Sequence, residues 1–123
     1  MLQSAKLVAF SATTNAARAK AFYQGVLGLR LVSEDGFALV FDAHGTMLRV
    51  SAVKHVVTAP YTVLGWEVSD IVATVRGLAA AGVRFERFPG MPQDEVGIWS
   101  APDGGSVAWF KDPDGNLLSV SQH

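Results

Sequence analysis

The residues of this chain that could do acid–base or metal chemistry are few and scattered. The three histidines are His44, His55 and His123, which lie in a predicted turn, at the end of a predicted strand and at the C-terminus. There is no cysteine, which excludes a disulfide framework and a thiolate metal site. Histidines on strands can share a metal only when they recur on one face, and these three do not. They therefore predict no metal site.

Two carboxylates, Asp112 and Asp114, are close enough in sequence to suggest a catalytic pair. They lie in Lys111–Asn116, a polar stretch with proline and glycine between two apolar, strand-like runs, Ser106–Phe110 and Leu117–Ser121. Aspartates in such turns accept hydrogen bonds from backbone groups nearby in the chain. We therefore predict that both carboxylates hold a hairpin turn and take no part in catalysis.

The elements that must position any functional residue follow one order that is used twice. In the first half, Asn15 is a good helix N-cap because its side-chain oxygen can accept a backbone N–H, and Gly28 can end the helix with a positive φ. The apolar pattern predicts a strand, this helix and three more strands, over Lys6–Ala12, Ala16–Leu27, Leu29–Ser33, Phe37–Phe41 and Thr46–Val53.

The second half begins after Ala59-Pro60 and repeats this order. Ser69 or Asp70 caps its helix, and Gly82 ends it. The predicted elements are a strand, a helix and the strands that follow, over Tyr61–Val68, Ile71–Ala81, Val83–Arg87, Ile98–Ser100, Ser106–Phe110 and Leu117–Ser121.

The spacing of the punctuating residues supports an internal duplication. The interval from the helix cap to the closing glycine is 13 positions in the first half and 12, counted from Asp70, in the second. We therefore predict one α+β domain over residues 1–123, with two βαβββ modules at 1–58 and 61–123 that form a curved mixed sheet around a cleft. Ligand sites favour such interfaces between modules.

The composition limits the partners that this protein could have. Apolar residues make up 50% of the chain and charged residues 17%, so little of it is expected to be disordered. A net charge of -1 gives no reason to expect a nucleic acid or an anionic membrane as a partner. No apolar run is long enough for a membrane span, and no signal peptide is apparent. We therefore predict a cytoplasmic protein.

Three motifs resemble those of a known family. Ala19–Leu29 is similar to its first-helix signature, "FY" followed by "LG", Phe110–Asn116 to its C-terminal "DPDG" turn, and Val68–Asp70 to the start of its second helix. On these residues the chain resembles the vicinal oxygen chelate superfamily of glyoxalase I, bleomycin-resistance proteins, extradiol dioxygenases and fosfomycin-resistance enzymes. The resemblance covers nearly the whole chain and implies the fold, while the family contains both enzymes and binding proteins.

In metal-dependent members of this family, four strand positions supply the metal ligands. Counting from the helix caps and the "DPDG" turn carries these positions onto Val8, Arg49, Val63 and Ser119. Metals in this fold take His, Gln or Glu, whereas valine cannot ligate and arginine is a fixed cation. The resemblance therefore implies the scaffold without its metal site, and we predict no metal and no other cofactor.

Side chains alternate along a strand, so these positions identify their neighbours on the same faces. The predicted site has apolar walls and a few polar groups, which is the usual form of a small-molecule site. Its ligand-binding residues are predicted to be Phe10, Met47, Arg49, Glu67, Trp109 and Ser119.

Arg49 and Glu67 each have more than one interpretation. Arg49 could clamp a ligand carboxylate or phosphate, or it could neutralise Glu67 as a structural pair. Pairing is favoured because lone buried charges are costly, and a ligand could exchange into the pair. Glu67 is also the one candidate catalytic residue, because a carboxylate in an apolar site can act as a general base. No second acid, nucleophile or metal supports that role.

The remaining aromatic residues are assigned to packing. Trp66 should pack under a helix, and Phe22 and Tyr23 belong to the core or to a dimer interface. Trp99 follows the irregular loop Pro89–Glu95 and could hold that loop as a lid.

We therefore predict a homodimeric protein that binds a small planar or anionic molecule without a metal. The alternative is an enzyme of the glyoxalase/dioxygenase type, a lyase, isomerase or oxygenase that acts without metal or with an atypical metal site.

Overall fold

The computed structural model describes all 123 residues, and its contacts divide the chain into two compact units, Met1–Val57 and Thr58–His123. The first unit is a mixed sheet of order β1-β4-β3-β2, in which β1 is parallel to β4 and the other pairs are antiparallel. Its elements are β1 (Val8–Thr13), α1 (Ala16–Lys20), a π-helix (Ala21–Val26), β2 (Arg30–Glu34), β3 (Ala38–Ala43) and β4 (Thr46–Ala52).

The second unit has the same sheet order, β5-β8-β7-β6, again with one parallel pair, β5 and β8. Both sheets are mixed and each unit has one helical segment, which confirms the α+β class expected from the sequence. No helix of the chain is long and apolar enough to cross a membrane. The elements of this unit are β5 (Leu64–Glu67), α2 (Ile71–Ala80), β6 (Trp99–Ser100), β7 (Ser106–Lys111) and β8 (Leu117–Gln122).

Both helical segments begin at the predicted capping residues. The Asn15 side chain accepts a hydrogen bond from the backbone N–H of Arg18, and the Asp70 side chain accepts one from Ala73, each at 3.0 Å. Each bond satisfies one of the N–H groups that a helix start leaves without a partner. Gly28 then follows the first helical segment with a φ of 75°.

The first helical segment differs from the continuous helix of one type that the sequence predicts. From Ala21 it widens into a π-helix, and the N–H of Leu27 bonds to the carbonyl of Phe22, five residues back, at 2.9 Å. Tyr23 is fully buried in this segment and lies against Phe41 of β3, with 5.7 Å between ring centroids. The apolar pattern could not distinguish the two helix types, because a π-helical turn has only about one residue more than an α-helical turn and contains the same apolar residues.

The core of each unit lies on the side of its sheet that the helix covers. Burial alternates along β4 and β7, as expected for sheets with one covered face, whereas the first four residues of both β3 and β8 are buried. In the first unit the buried residues include Leu39, Phe41, Leu48 and Val50, and in the second Ile71, Val75, Ala108, Phe110, Leu118 and Val120.

The predicted strand Val83–Arg87 is wrong. This segment makes a single bridge, Phe85 to Phe110, and one further bond from the Glu86 N–H to the Trp109 carbonyl at 2.8 Å. The chain then leaves the edge of β7 and returns to it as the two-residue strand β6. Pro89 lies two residues after Arg87, and proline cannot donate a ladder hydrogen bond, so pairing stops there.

Candidate functional site

One side of the first sheet carries three of the predicted ligand-binding residues. Phe10 of β1 is in register with Arg49 of β4, and Val8 is in register with Met47. Met47 and Arg49 alternate with the buried Leu48 and Val50, so they and their register partners share the side that the helix does not cover. Phe10 is 61% exposed and Met47 44%, while Arg49 is half-buried. We call this surface, with Val8, Phe10, Val40, Met47 and Arg49, the first face.

An acidic residue lies near Arg49 within the same unit. Hydrogen bonds from the N–H groups of Phe37 and Ala38, at 2.7 and 3.0 Å, hold the pKa of Asp35 below its usual value, and the positive charge of Arg49 lowers that pKa further. Asp35 lies in the β2–β3 turn, between the strands predicted at Leu29–Ser33 and Phe37–Phe41. The sequence had offered Glu67, of the second unit, as the partner of Arg49, and that pairing stays a prediction.

A cavity of about 230 Å³ opens on the Val8 and Met47 end of the first face. Its wall includes Val32, which a register shift in β2 between Leu31 and Ser33 leaves outside the regular alternation. Basic and acidic side chains complete it, and Arg30 lies 3.6 Å from Asp42 as an exposed ion pair. The cavity is slightly smaller than typical ligand pockets, which begin at about 300 Å³. It is suited to a small apolar group with a polar end, lined by Lys6, Val8, Arg30, Val32, Val40 and Met47.

The second sheet carries the other three predicted residues on one side. Ser119 of β8 is in register with Gly65 of β5 and with Trp109 of β7, and Glu67 lies two residues after Gly65. Glu67 is exposed and Trp109 half-buried, whereas Ser119 is only 9% exposed. We call this surface, with Gly65, Glu67, Trp109 and Ser119, the second face.

The Ser119 hydroxyl is more enclosed than its predicted role required. A Cβ placed on Gly65 would lie 2.8 Å from Ser119 Oγ, so the hydroxyl occupies the space that the missing side chain leaves. Glycine in β5 therefore allows Ser119 to lie against the neighbouring backbone.

Trp109 belongs to an aromatic cluster that the sequence only partly revealed. Its ring centroid is 6.2 Å from that of Trp99, and 5.4 Å from that of Phe88, which meets it edge-on. Trp99 shares the second face because it is in register with Val107, two residues before Trp109. Phe88 was missed because it lies outside any strand, where alternation gives no signal.

The loop that the sequence described as irregular is fixed by one side chain. Gln93 Oε1 accepts from the N–H of Phe88, and Gln93 Nε2 donates to the carbonyls of Glu86 and Gly97, each at 2.9 Å. A backbone bridge also joins Gln93 to Trp99. These bonds hold the loop in place, and the proposed lid movement stays a prediction.

The "DPDG" turn has the structural role that was expected for Asp112. This carboxylate is 5% exposed and accepts from the N–H groups of Asp114 and Asn116, each at 3.0 Å, and from Asn116 Nδ2 at 2.8 Å. The bonds close the hairpin between β7 and β8 and so fix the position of Ser119 along β8.

The four positions that the resemblance compares with metal ligands do not fit a divalent metal. Val8 and Val63 have no donor atom, Arg49 is a cation, and Ser119 supplies one neutral hydroxyl. No group of three or more His, Asp or Glu side chains is arranged to hold a metal ion elsewhere in the chain. These four positions therefore support no metal-dependent chemical step.

The chain therefore has a duplicated α+β fold, with two mixed sheets of the same strand order that are each covered by a helix. The family model described as Glyoxalase/Bleomycin resistance protein/Dioxygenase superfamily matches residues 8–120, and the chain belongs to this family. Comparison with curated proteins gives no match.

Several solved structures share the fold at low sequence identity. Lactoylglutathione lyase from Agrobacterium tumefaciens has a TM-score of 0.74 and 19% identity, over 97% of this chain and 93% of that one. TioX from Micromonospora sp. ML1 has a TM-score of 0.73 and 20% identity, over 98% and 99% of the two chains. A glyoxalase/bleomycin resistance protein from Catenulispora acidiphila has a TM-score of 0.71 and 20% identity, over 98% and 99%. At these identities the similarity establishes the fold alone.

Proposed function

We propose that this protein binds a small planar organic anion, with Arg49 as the residue that recognises the negative charge. The observation that supports the proposal most directly is the position of Arg49 on the first face. A half-buried guanidinium is in register with the exposed ring of Phe10, and the exposed Met47 is two residues away on the same strand. This combines an apolar surface with a donor that matches carboxylate geometry.

The surroundings of Arg49 within its unit support an exchangeable role for its charge. The charge of Arg49 helps to lower the pKa of Asp35, but the Asp35 carboxylate is already hydrogen-bonded to the N–H groups of Phe37 and Ala38. Arg49 has five N–H donors, so an anion could bind it while the hydrogen bonds of Asp35 to the backbone stay in place. The charge of Asp35 moderates the affinity, because it partly neutralises the guanidinium before the ligand arrives.

The second face, taken by itself, offers a flat aromatic surface for a planar ligand. Trp109 contacts Trp99 and Phe88, which restricts the motion of its ring and lowers the entropy cost of stacking a flat molecule on it. Glu67 is the exposed polar group of this face and would accept a hydrogen bond from a ligand hydroxyl or amine. The enclosed hydroxyl of Ser119 is proposed as a minor contact.

The proposal is tested with matched pairs of aromatic carboxylic acids and their neutral amides, screened by thermal shift and measured by calorimetry. Acids should bind the native protein more tightly than their amides. Arg49→Gln should weaken the acids by about tenfold or more, since a charge-assisted hydrogen bond contributes roughly 1.5–3 kcal/mol. Arg49→Lys should restore part of the affinity, because it keeps the charge but loses the planar fork.

Arg84→Gln is the matched control, because Arg84 is an exposed arginine of the second unit that belongs to neither face. It should leave every affinity unchanged. Acids that bind Arg49→Gln as tightly as the native protein would show that the anion site lies elsewhere.

The proposal includes a homodimer. Large apolar side chains such as Leu7, Phe37 and Val57 are exposed in the single chain, and self-association would cover part of that surface. Sedimentation equilibrium should give a mass near twice the 13.1 kDa of the chain, and a monomer at all concentrations would refute this part of the proposal.

A further inference from the structure

A second cavity lies in the second unit, on the helix side of the sheet and away from the second face. Its volume is about 380 Å³, which falls within the range of small-ligand pockets. It opens between α2 and the chain from residue 83 to residue 96. Most of its wall is apolar, and the apolar lining residues are Val75, Ala79, Val83, Phe85 and Val96.

The wall on the side of residues 83–87 is built by strand-like alternation. Val83, Phe85 and Arg87 all line the cavity, as residues two apart in an extended segment should. Phe85 is fixed from behind by Phe110, with 5.6 Å between ring centroids. Arg84 alternates with these residues and does not line the cavity.

The opposite wall is also ordered by specific contacts. The Asp94 carboxylate accepts from the N–H groups of Val96 and Ile98, at 3.0 and 2.8 Å, and so holds the segment that carries Glu95 and Val96. Gly97 packs so closely on Phe85 that a Cβ there would lie 3.1 Å from the Phe85 Cβ, and its φ is 98°. Both walls are therefore formed before any ligand arrives, which reduces the cost of binding.

The charges at the cavity are not neutralised within the unit. Arg76 of α2 lines the cavity together with Arg87 and Glu95, and none of the three forms an ion pair. The ion pair observed in this unit joins Lys111 and Glu86. Two cations and one anion leave one positive charge beside an apolar wall. Arginines that no carboxylate occupies keep their donors available for an incoming anion.

From this arrangement we infer that the cavity is a second binding site, specific for a small monocarboxylate with an aromatic or branched apolar body. The carboxylate lies near Arg76 and Arg87, and the body lies against Val75, Val83 and Phe85. The single negative charge matches the net charge of the lining, while Glu95 disfavours ligands that carry two. This site shares no residue with the proposed site of Arg49, so neither depends on the other.

The test is an NMR titration of the full ¹⁵N-labelled chain with 4-phenylbutyrate, using 4-phenylbutyramide as the neutral comparison. The acid should give saturable amide shifts in α2 and in residues 83–96, and the amide should bind at least about tenfold more weakly. Arg76→Gln and Arg87→Gln should each weaken the acid by about fivefold or more. The matched control Arg84→Gln should not change its affinity.

Two further variants test whether the acid binds inside this cavity and independently of Arg49. Ala79→Trp places a bulky side chain in the cavity and should abolish the shifts there, while the rest of the spectrum should still be that of a folded protein. Arg49→Gln should leave these shifts unchanged, whatever it does to binding at the first face. The inference is overturned if no saturable shifts occur in these segments, if acid and amide bind equally, or if Ala79→Trp binds the acid as the native protein does.

Discussion

Replacing Asp112 by alanine tests whether the carboxylate of the "DPDG" turn stabilises the fold. This residue is 5% exposed, and its oxygens accept hydrogen bonds from Asp114 N, Asn116 N and Asn116 Nδ2. Asn116 is itself 6% exposed, so its amide would keep little access to water once the carboxylate is removed. Alanine therefore removes the acceptor of these three bonds from a buried turn.

The expected loss of folding stability follows from the number of hydrogen bonds that are removed. A net contribution of about 1 kcal/mol for each of these three bonds gives a loss of about 3 kcal/mol. A domain with a typical stability of about 5–15 kcal/mol would remain folded after losing about 3 kcal/mol. The variant is therefore measurable as a folded protein.

The assay is urea unfolding followed by circular dichroism, with Asp103→Ala as the matched control. Asp103 also caps a hairpin turn, but it is exposed and its carboxylate accepts one bond, from the N–H of Gly105 at 2.9 Å. The control should lose about 0.5–1 kcal/mol. Equal losses for the two variants would refute the calculation, and a stable Asp112→Ala protein that had lost ligand binding would assign the carboxylate to function instead.

Three further predictions concern other contacts of the two units. The pKa of Asp35 is held below its unfolded value of 3.8, so this group stabilises the fold above that pH and the stabilisation is lost as the pH falls through the folded pKa. Asp35→Asn should therefore show a smaller loss of stability than the native protein between about pH 4 and pH 2, and equal acid profiles would contradict this. Gly65→Ala should force the Ser119 hydroxyl to move from a 2.8 Å contact and cost about 1 kcal/mol in urea unfolding. The double variant with Ser119→Ala should recover most of that loss, and no recovery would place the strain elsewhere. Gln93→Ala removes three hydrogen bonds from the loop, so amide exchange should rise by about tenfold or more in residues 86–98 and not in α2. An unchanged exchange rate in the loop would show that Gln93 does not hold it.

Features set by neighbouring residues could be predicted from the sequence. Asn15 and Asp70 were identified as helix caps because capping depends on the next three residues, and Gly82 adopts the positive φ, 99°, expected after a helix. Alternation along β1 and β4 likewise predicts that Phe10 and Arg49 share a face, since every second side chain of a strand points the same way.

Features set by distant residues could not be predicted in this way. Val83–Arg87 has the composition of a strand, but whether it pairs depends on the edge of β7 and on the proline that follows. Asp35 comes near Arg49 only because the β2–β3 hairpin folds against β4, where Ala38 is in register with Ser51. Phe88 reaches Trp109 from a loop, and the sequence contains no periodic signal for that contact.

The central proposal is that Arg49 recognises the negative charge of a ligand, and a chemical double-mutant cycle tests it most directly. The affinities of one aromatic acid and its amide are measured by calorimetry on the native protein and on Arg49→Gln. If the guanidinium binds the carboxylate, the four free energies should show a coupling of at least about 1 kcal/mol, because the variant weakens the acid and barely affects the amide. A coupling of zero, with acid and amide losing the same affinity or neither losing any, would contradict the proposal.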